Sequence, residues 1–158
     1  MQRACWVLMI FLLVLGGSCL DNGICLRGAD NALVIEFKKF VEGEAVTDTV
    51  TFMNIEAAGT NAVFYLQDPD ERDTLRSKVV VTIDPYAEET TFTFNDFKSG
   101  LTKTLTVGYK TEVRFVSEEC GSERLQYDLE VLETSFNTVN VVRKNLDKGR
   151  FTNIEIFN

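Results

Sequence analysis

From Leu33 onward apolar and polar residues alternate with a period of two, and no segment carries an apolar stripe at the helical period of 3.6. A chain patterned this way folds into half-buried strands, with one side chain in two facing a core. Leu33, Ile35 and Phe37 alternate with Glu36 and Lys38; Val46 to Ile55 is rich in Thr and Val; Ala62 to Leu66 is a short apolar run. Val79, Val81 and Ile83 alternate next and stop at Asp84-Pro85. The clearest stretch sets Phe92 and Phe94 against Thr91, Thr93 and Asn95, then turns at Lys98-Ser99-Gly100 and resumes with Leu105, Val107 and Tyr109. This predicts a β-hairpin with a short Gly-containing loop. Val113 and Phe115 form a further strand, Tyr127, Leu129 and Val131 the next, and Val139, Val141, Ile154 and Ile156 close the chain. About eight or nine short strands separated by turns indicate an all-β, antiparallel β-sandwich, immunoglobulin-like in topology, with transthyretin-like and jelly-roll arrangements as alternatives.

The N-terminus has a different pattern. Met1-Gln2-Arg3 is a short basic start, Ala4 to Leu15 is almost unbroken apolar sequence, and Gly16-Gly17-Ser18 leads into Cys19. A charged start, an apolar stretch too short to span a bilayer comfortably and a small-residue cleavage site make an export signal. The cysteine directly after the small residues gives it the form of a lipoprotein signal, cut so that the Cys19 thiol carries lipid. Ordinary signal cleavage and a retained N-terminal anchor are the alternatives. The expected organisation is a signal peptide over 1–18, a lipid anchor and tether over 19–31, and a single sandwich domain over 32–158.

Removing residues 1–18 takes away Arg3, their only charge, and leaves 15 basic residues against 24 acidic ones, a net charge near −9. The roughly 140 residues that remain suffice for one domain with a core of its own. So acidic a chain has no basic stripe with which to neutralise phosphates, which argues against nucleic acid. It argues equally against docking on anionic lipid heads. Membrane attachment is expected through the acyl chains.

With Cys5 removed and Cys19 lipidated, Cys25 and Cys120 remain. In an exported protein two thiols are most simply a disulfide, and free buried thiols are the alternative. The bridge would close a loop of roughly 95 residues, which the chain-entropy account values at about 4 to 5 kcal/mol. The sequence contains no histidine. That removes Ser-His-Asp and Cys-His nucleophilic sites, histidine zinc sites and every imidazole base. The single tryptophan, Trp6, lies in the signal, so no indole remains to stack on a sugar.

The densest carboxylate cluster is Asp68-Pro69-Asp70-Glu71-Arg72-Asp73. Asp68, Asp70 and Asp73 are spaced as oxygen ligands for calcium could be, but the loop lacks the Gly and the terminal Glu of an EF-hand, and it reads first as solvated loop charge. Glu118, Glu119, Glu130 and Glu133 are carboxylates of the kind a glycosidase pairs, with nothing in their spacing that pairs them. Glu118-Glu119-Cys120-Gly121 reads as a strand end.

Asn22-Gly23-Ile24-Cys25, Val34-Ile35-Glu36-Phe37, Phe115-Val116-Ser117-Glu118-Glu119-Cys120-Gly121 and Asn153-Ile154-Glu155-Ile156-Phe157 occur in an order that resembles an uncharacterised family of Bacteroidota lipoproteins, a domain of unknown function of the two-cysteine β-sandwich type. The resemblance covers essentially the whole mature chain. It implies an envelope location and a two-cysteine framework, and implies no activity. Members of that family often carry a His before the final strand, where this chain reads Gly149-Arg150-Phe151-Thr152. The functional expectation is a lipid-anchored, non-enzymatic interaction or accessory module without a cofactor, on the periplasmic face of the outer membrane, with an envelope protein as partner. The alternative is a ligand-binding module for glycan or calcium.

Overall fold

A computed structural model describes residues 31–66, 74–98, 100–118, 121–146 and 151–158. It is an all-β sandwich of two five-stranded sheets. The strands are β1 (Ala32–Val41), β2 (Glu44–Thr47), β3 (Asn54–Ala57), β4 (Val63–Phe64), β5 (Lys78–Thr82), β6 (Glu89–Phe97), β7 (Leu101–Ser117), β8 (Gly121–Thr134), β9 (Thr138–Val141) and β10 (Ile154–Phe157). The first sheet runs β2-β1-β10-β9, with β5 also paired to β1; the second runs β4-β3-β6-β7-β8.

The ten strands differ from the expected eight or nine in how the apolar stretches divide and join. Val46 to Ile55 is cut at Asp48: its start ends β2 in the first sheet, and its end begins β3 in the second. The hairpin between β1 and β2 turns on Glu42 and Gly43, with φ of 53° and 87°. Two left-handed residues in a two-residue loop match the right-handed twist of the strands they join. Elsewhere two expected strands fuse: Leu105 to Tyr109 and Val113 to Phe115 lie in the single 17-residue β7. The hairpin predicted at Lys98–Gly100 forms, joining β6 to β7 with Phe97 opposite Leu101.

Among the described residues all the strand pairs are antiparallel except one. β10 lies parallel to β1, with Ile35 opposite Ile154 and Phe37 opposite Ile156. A parallel neighbour needs a long return path, and the whole second sheet supplies it. Asn153, 2 % exposed, fixes the join. Its Oδ1 accepts from Val34 N at 3.1 Å, and its Nδ2 donates to the carbonyls of Asn145 and Arg143 at 3.0 and 3.4 Å.

The core is filled from both inner faces. Leu33, Ile35, Phe37, Val79, Val81 and Ile156 come from the first sheet, and Ile55, Phe92, Phe94, Leu105, Val107 and Leu129 from the second. At its centre Phe94 meets the rings of Phe37, Phe52, Phe97 and Phe136 edge-on, with centroids 5.3 to 6.3 Å apart. Edge-to-face contacts bring the positive rim of one ring to the negative face of another, and add to the burial itself.

Candidate functional site

The second sheet is unequal in length. β6 begins at Glu89, opposite Gly108, whereas β7 continues to Ser117 and β8 returns from Gly121. Past Tyr109, among the described residues, no strand lies beside the outer edge of β7, while β8 is still bonded at Gln126 and Leu129 to Leu146 N and Lys144 O; the two strands form a ribbon, or arm, open along β7. Its burial follows: Val113 and Phe115, 58 % and 65 % exposed, lie on the same face of β7 as buried Leu105, Val107 and Tyr109. The apolar alternation thus runs out of the core into solvent.

Two bulges reshape β8 at the base of the arm. The register moves by one residue between Thr106 and Val107 and again between Gly108 and Lys110, leaving an extra residue in β8 each time. At the second bulge Asp128 adopts a φ of 58°. Tyr127 therefore pairs with Lys110 and faces away from the core, although its alternation with Leu129 and Val131 placed it inside. Leu132, at the first bulge, folds over Gly108, where an added Cβ would come within 3.1 Å of its methyl carbon.

The loop between β5 and β6 forms the opposite wall. Asp84 Oδ1 accepts from Tyr86 N at 2.8 Å, a local turn that the sequence Asp84-Pro85-Tyr86 favours. The Tyr109 hydroxyl donates to Asp84 O at 2.6 Å and meets Thr90 Oγ1 at 2.7 Å, while Tyr109 N donates to Glu88 O. Burial pushes the Tyr109 phenol above its ordinary pKa, which keeps the donor protonated. Tyr86, held on this loop and 81 % exposed, lies under the Arg124 guanidinium, 4.5 Å from its ring centroid.

Loop and bulged strands enclose an open groove of about 840 Å³. Tyr86, Arg124 and Tyr127 supply its aromatic and guanidinium surface, and Glu88, Glu89 and Glu130 its carboxylates. Lys110 Nζ donates to Asp128 Oδ2 at 2.6 Å, and Lys144 approaches the other oxygen at 3.6 Å. That hydrogen bond lowers the Asp128 pKa and raises that of Lys110, so the pair stays ionised across ordinary pH. The groove offers recognition chemistry: a partly stacked phenol, paired ions and free carboxylates. Among the described residues no three Cys, Asp or Glu side chains gather to hold a metal ion.

Of the residues singled out in the sequence, Cys19, Cys25, Cys120, Asp68, Asp70, Asp73 and Glu119 lie outside the described residues. Glu130 lines the groove; Glu118 stands just past the far end of β7; Glu133 lies beyond the Leu132 bulge, opposite Thr106. The sequence pointed to none of the groove's aromatic or basic members. The one available signal was Tyr86, an aromatic residue in an Asp-Pro turn. No protein-family model matches the chain, and no curated protein and no solved structure matches it.

Proposed function

We propose that this is a lipid-anchored, non-enzymatic interaction module of the cell envelope, which uses its β7–β8 arm as the contact surface. The observation that carries the reading is the arm itself, two strands that outgrow their sheet and keep Val113 and Phe115 in water. A two-stranded ribbon is marginal by itself in water. Apolar side chains left exposed on such a ribbon gain most when a partner covers them. The N-terminal pattern ending in Cys19 supports the anchor, and the resemblance to Bacteroidota lipoproteins supports the envelope location.

Two measurements test this reading. Cys19→Ala should move the protein out of the membrane fraction; retention there would overturn lipidation. A photo-crosslinking amino acid at position 115 should give adducts in producing cells, while the same group at Lys78, in the first sheet, should not. Equal labelling from both positions would remove the arm from its role.

The groove favours a second reading, a ligand-binding module. Tyr86 and Arg124 form a polar aromatic platform beside carboxylates, a surface that suits a glycan. Calorimetric titration with oligosaccharides, and with calcium for the Asp68–Asp73 loop, separates the two: heat that Tyr86→Ala abolishes would favour the glycan.

A further inference from the structure

The arm leaves a line of backbone groups unpaired. Tyr109 N donates across the sheet to Glu88 O, so Tyr109 directs its amide toward the side where β6 lies. β7 is free of bulges from Tyr109 to Phe115, its own extra residue falling only between Phe115 and Ser117, and amide direction alternates along a strand, so Thr111, Val113 and Phe115 direct theirs to the same side. β6 begins only at Glu89. Among the described residues nothing pairs with these three N–H and three C=O groups. Natural edges are commonly blunted by Pro, by a bulge or by an inward charge. Lys110-Thr111-Glu112-Val113-Arg114-Phe115 contains no proline, and its register with β8 is regular throughout.

We propose that the occupant of this edge is a second copy of the same edge, paired antiparallel about a two-fold axis through Val113. This rests on the arm being the contact surface, and names its partner. The open residues are odd-numbered, so the hydrogen-bonded pairs across the axis must join odd residues to odd. With the axis at Val113, Val113 faces Val113 of the second copy and Thr111 faces Phe115. Glu112 then lies opposite Arg114, twice by symmetry.

Charge complementarity selects this register. Moving the axis to position 112 sets two glutamates against each other, and moving it to 114 sets two arginines. An axis at 111 would set the regular strand at Val113 of the second copy against Tyr109, whose edge Glu88 already occupies, whereas with the axis at Val113 the regular stretch ends at Phe115, opposite Thr111, before the bulge ahead of Ser117. Arg114 keeps its intrachain partner Glu123 on β8 and still has further donors to offer. A two-fold axis perpendicular to the ribbon brings the same faces together, so both Val113–Phe115 surfaces join into one apolar face on a four-stranded sheet.

The test uses the full chain in producing cells with a benzophenone amino acid at position 115. The expected product is an adduct of twice the chain mass. Glu112→Arg, which places like charges opposite each other at both symmetric positions, should reduce it at least about tenfold. Val113→Pro removes an amide that faces solvent in the single chain, a place where an edge strand tolerates proline, and should abolish it. Unchanged melting curves show that both variants fold. A doubled adduct indifferent to Glu112→Arg overturns the pairing. Adducts solely to a different protein overturn the self-pairing and leave the arm as the contact surface. No adduct at all overturns both.

Discussion

β5 and the outer half of β7 face the same problem, a strand with one side left open, and the protein treats them oppositely. Among the described residues β5 pairs only with β1, and Val80 directs its amide and carbonyl away from that neighbour. The Tyr65 hydroxyl, arriving just after β4 in the other sheet, accepts from Val80 N at 2.6 Å and donates to Val80 O at 3.1 Å. Its ring is held edge-on by Phe52 and covered by the Arg76 guanidinium 4.7 Å away. One phenol thus seals both polar groups of an edge residue and ties the sheets together. Nothing described seals Thr111, Val113 and Phe115. The central residue of one edge capped with such economy, and another edge left open along three residues, point to use rather than neglect.

The comparison presumes that both edges hang on a framework whose stability lies elsewhere. Phe94→Ala tests that presumption. It removes a ring that touches four others, Phe37, Phe52, Phe97 and Phe136, and leaves a cavity where two sheets and two connections meet. The expected loss is about 3 to 5 kcal/mol in urea unfolding. A loss below about 1 kcal/mol would mean that the cluster collapses readily and that the sandwich is held by other contacts.

Tyr65→Phe addresses the sealed edge directly. The ring, its contact with Phe52 and its cover by Arg76 all survive; only the hydroxyl goes. Val80 N–H and C=O lose their partner together, for an expected cost of about 1 to 3 kcal/mol. The variant should also gain concentration-dependent association through β5, visible by sedimentation. If it stays as stable and as unassociated as the wild type, water seals β5 adequately and the contrast with β7 loses its meaning.

Asp48 holds the end of the sandwich near the point where β2 gives way to β3. Burial would raise its pKa, but hydrogen bonds from Lys39 and from Thr49 N, together with the Lys98 charge, outweigh this and leave the carboxyl below its ordinary value. A carboxylate depressed in the folded state adds stability at pH values above its unfolded pKa of about 3.9, and that stability is lost as pH falls through the lower folded pKa. Asp48→Asn should therefore lower the unfolding free energy at neutral pH, by about 1 kcal/mol or less because both lysines are well exposed. Its difference from wild type should vanish at strongly acidic pH. A difference that persists there would assign the effect to packing.

Period and burial explain what the sequence disclosed and what it hid. The alternations at Leu33–Phe37, Val79–Ile83 and Phe92–Phe94 became the buried faces of β1, β5 and β6, because one residue in two must leave water wherever a sheet covers a core. The same alternation at Val113 and Phe115 announced a strand and said nothing of whether anything would lie over it. Period reports which residues share a face, and only the length of the neighbouring strand decides where cover ends. Bulges escaped for a related reason. Tyr127, Leu129 and Val131 read as one face, and the left-handed backbone at Asp128 turned Tyr127 outward. The groove followed from that inversion, so neither it nor Arg124 stacked on Tyr86 had a signature in the sequence. The open edge was equally hidden, since which residues of β7 direct their amides outward depends on its register with its neighbours.

The smallest expected effect on stability is the most informative about the open edge. Phe115→Ser replaces a ring that is 65 % exposed and has no place in the buried core. It keeps the strand and its register with Ser122 across the ribbon. Unfolding free energy should change by no more than about 0.5 kcal/mol. Self-association read by sedimentation should fall, because Phe115 faces Thr111 of the second copy twice in the proposed pairing. A large destabilisation would place Phe115 under a cover supplied by the chain itself. The arm would then be sealed after all, by a different device from the one at β5. A small stability change with association lost is what an edge kept for a partner requires: side chains idle in the single chain and decisive only in the pair.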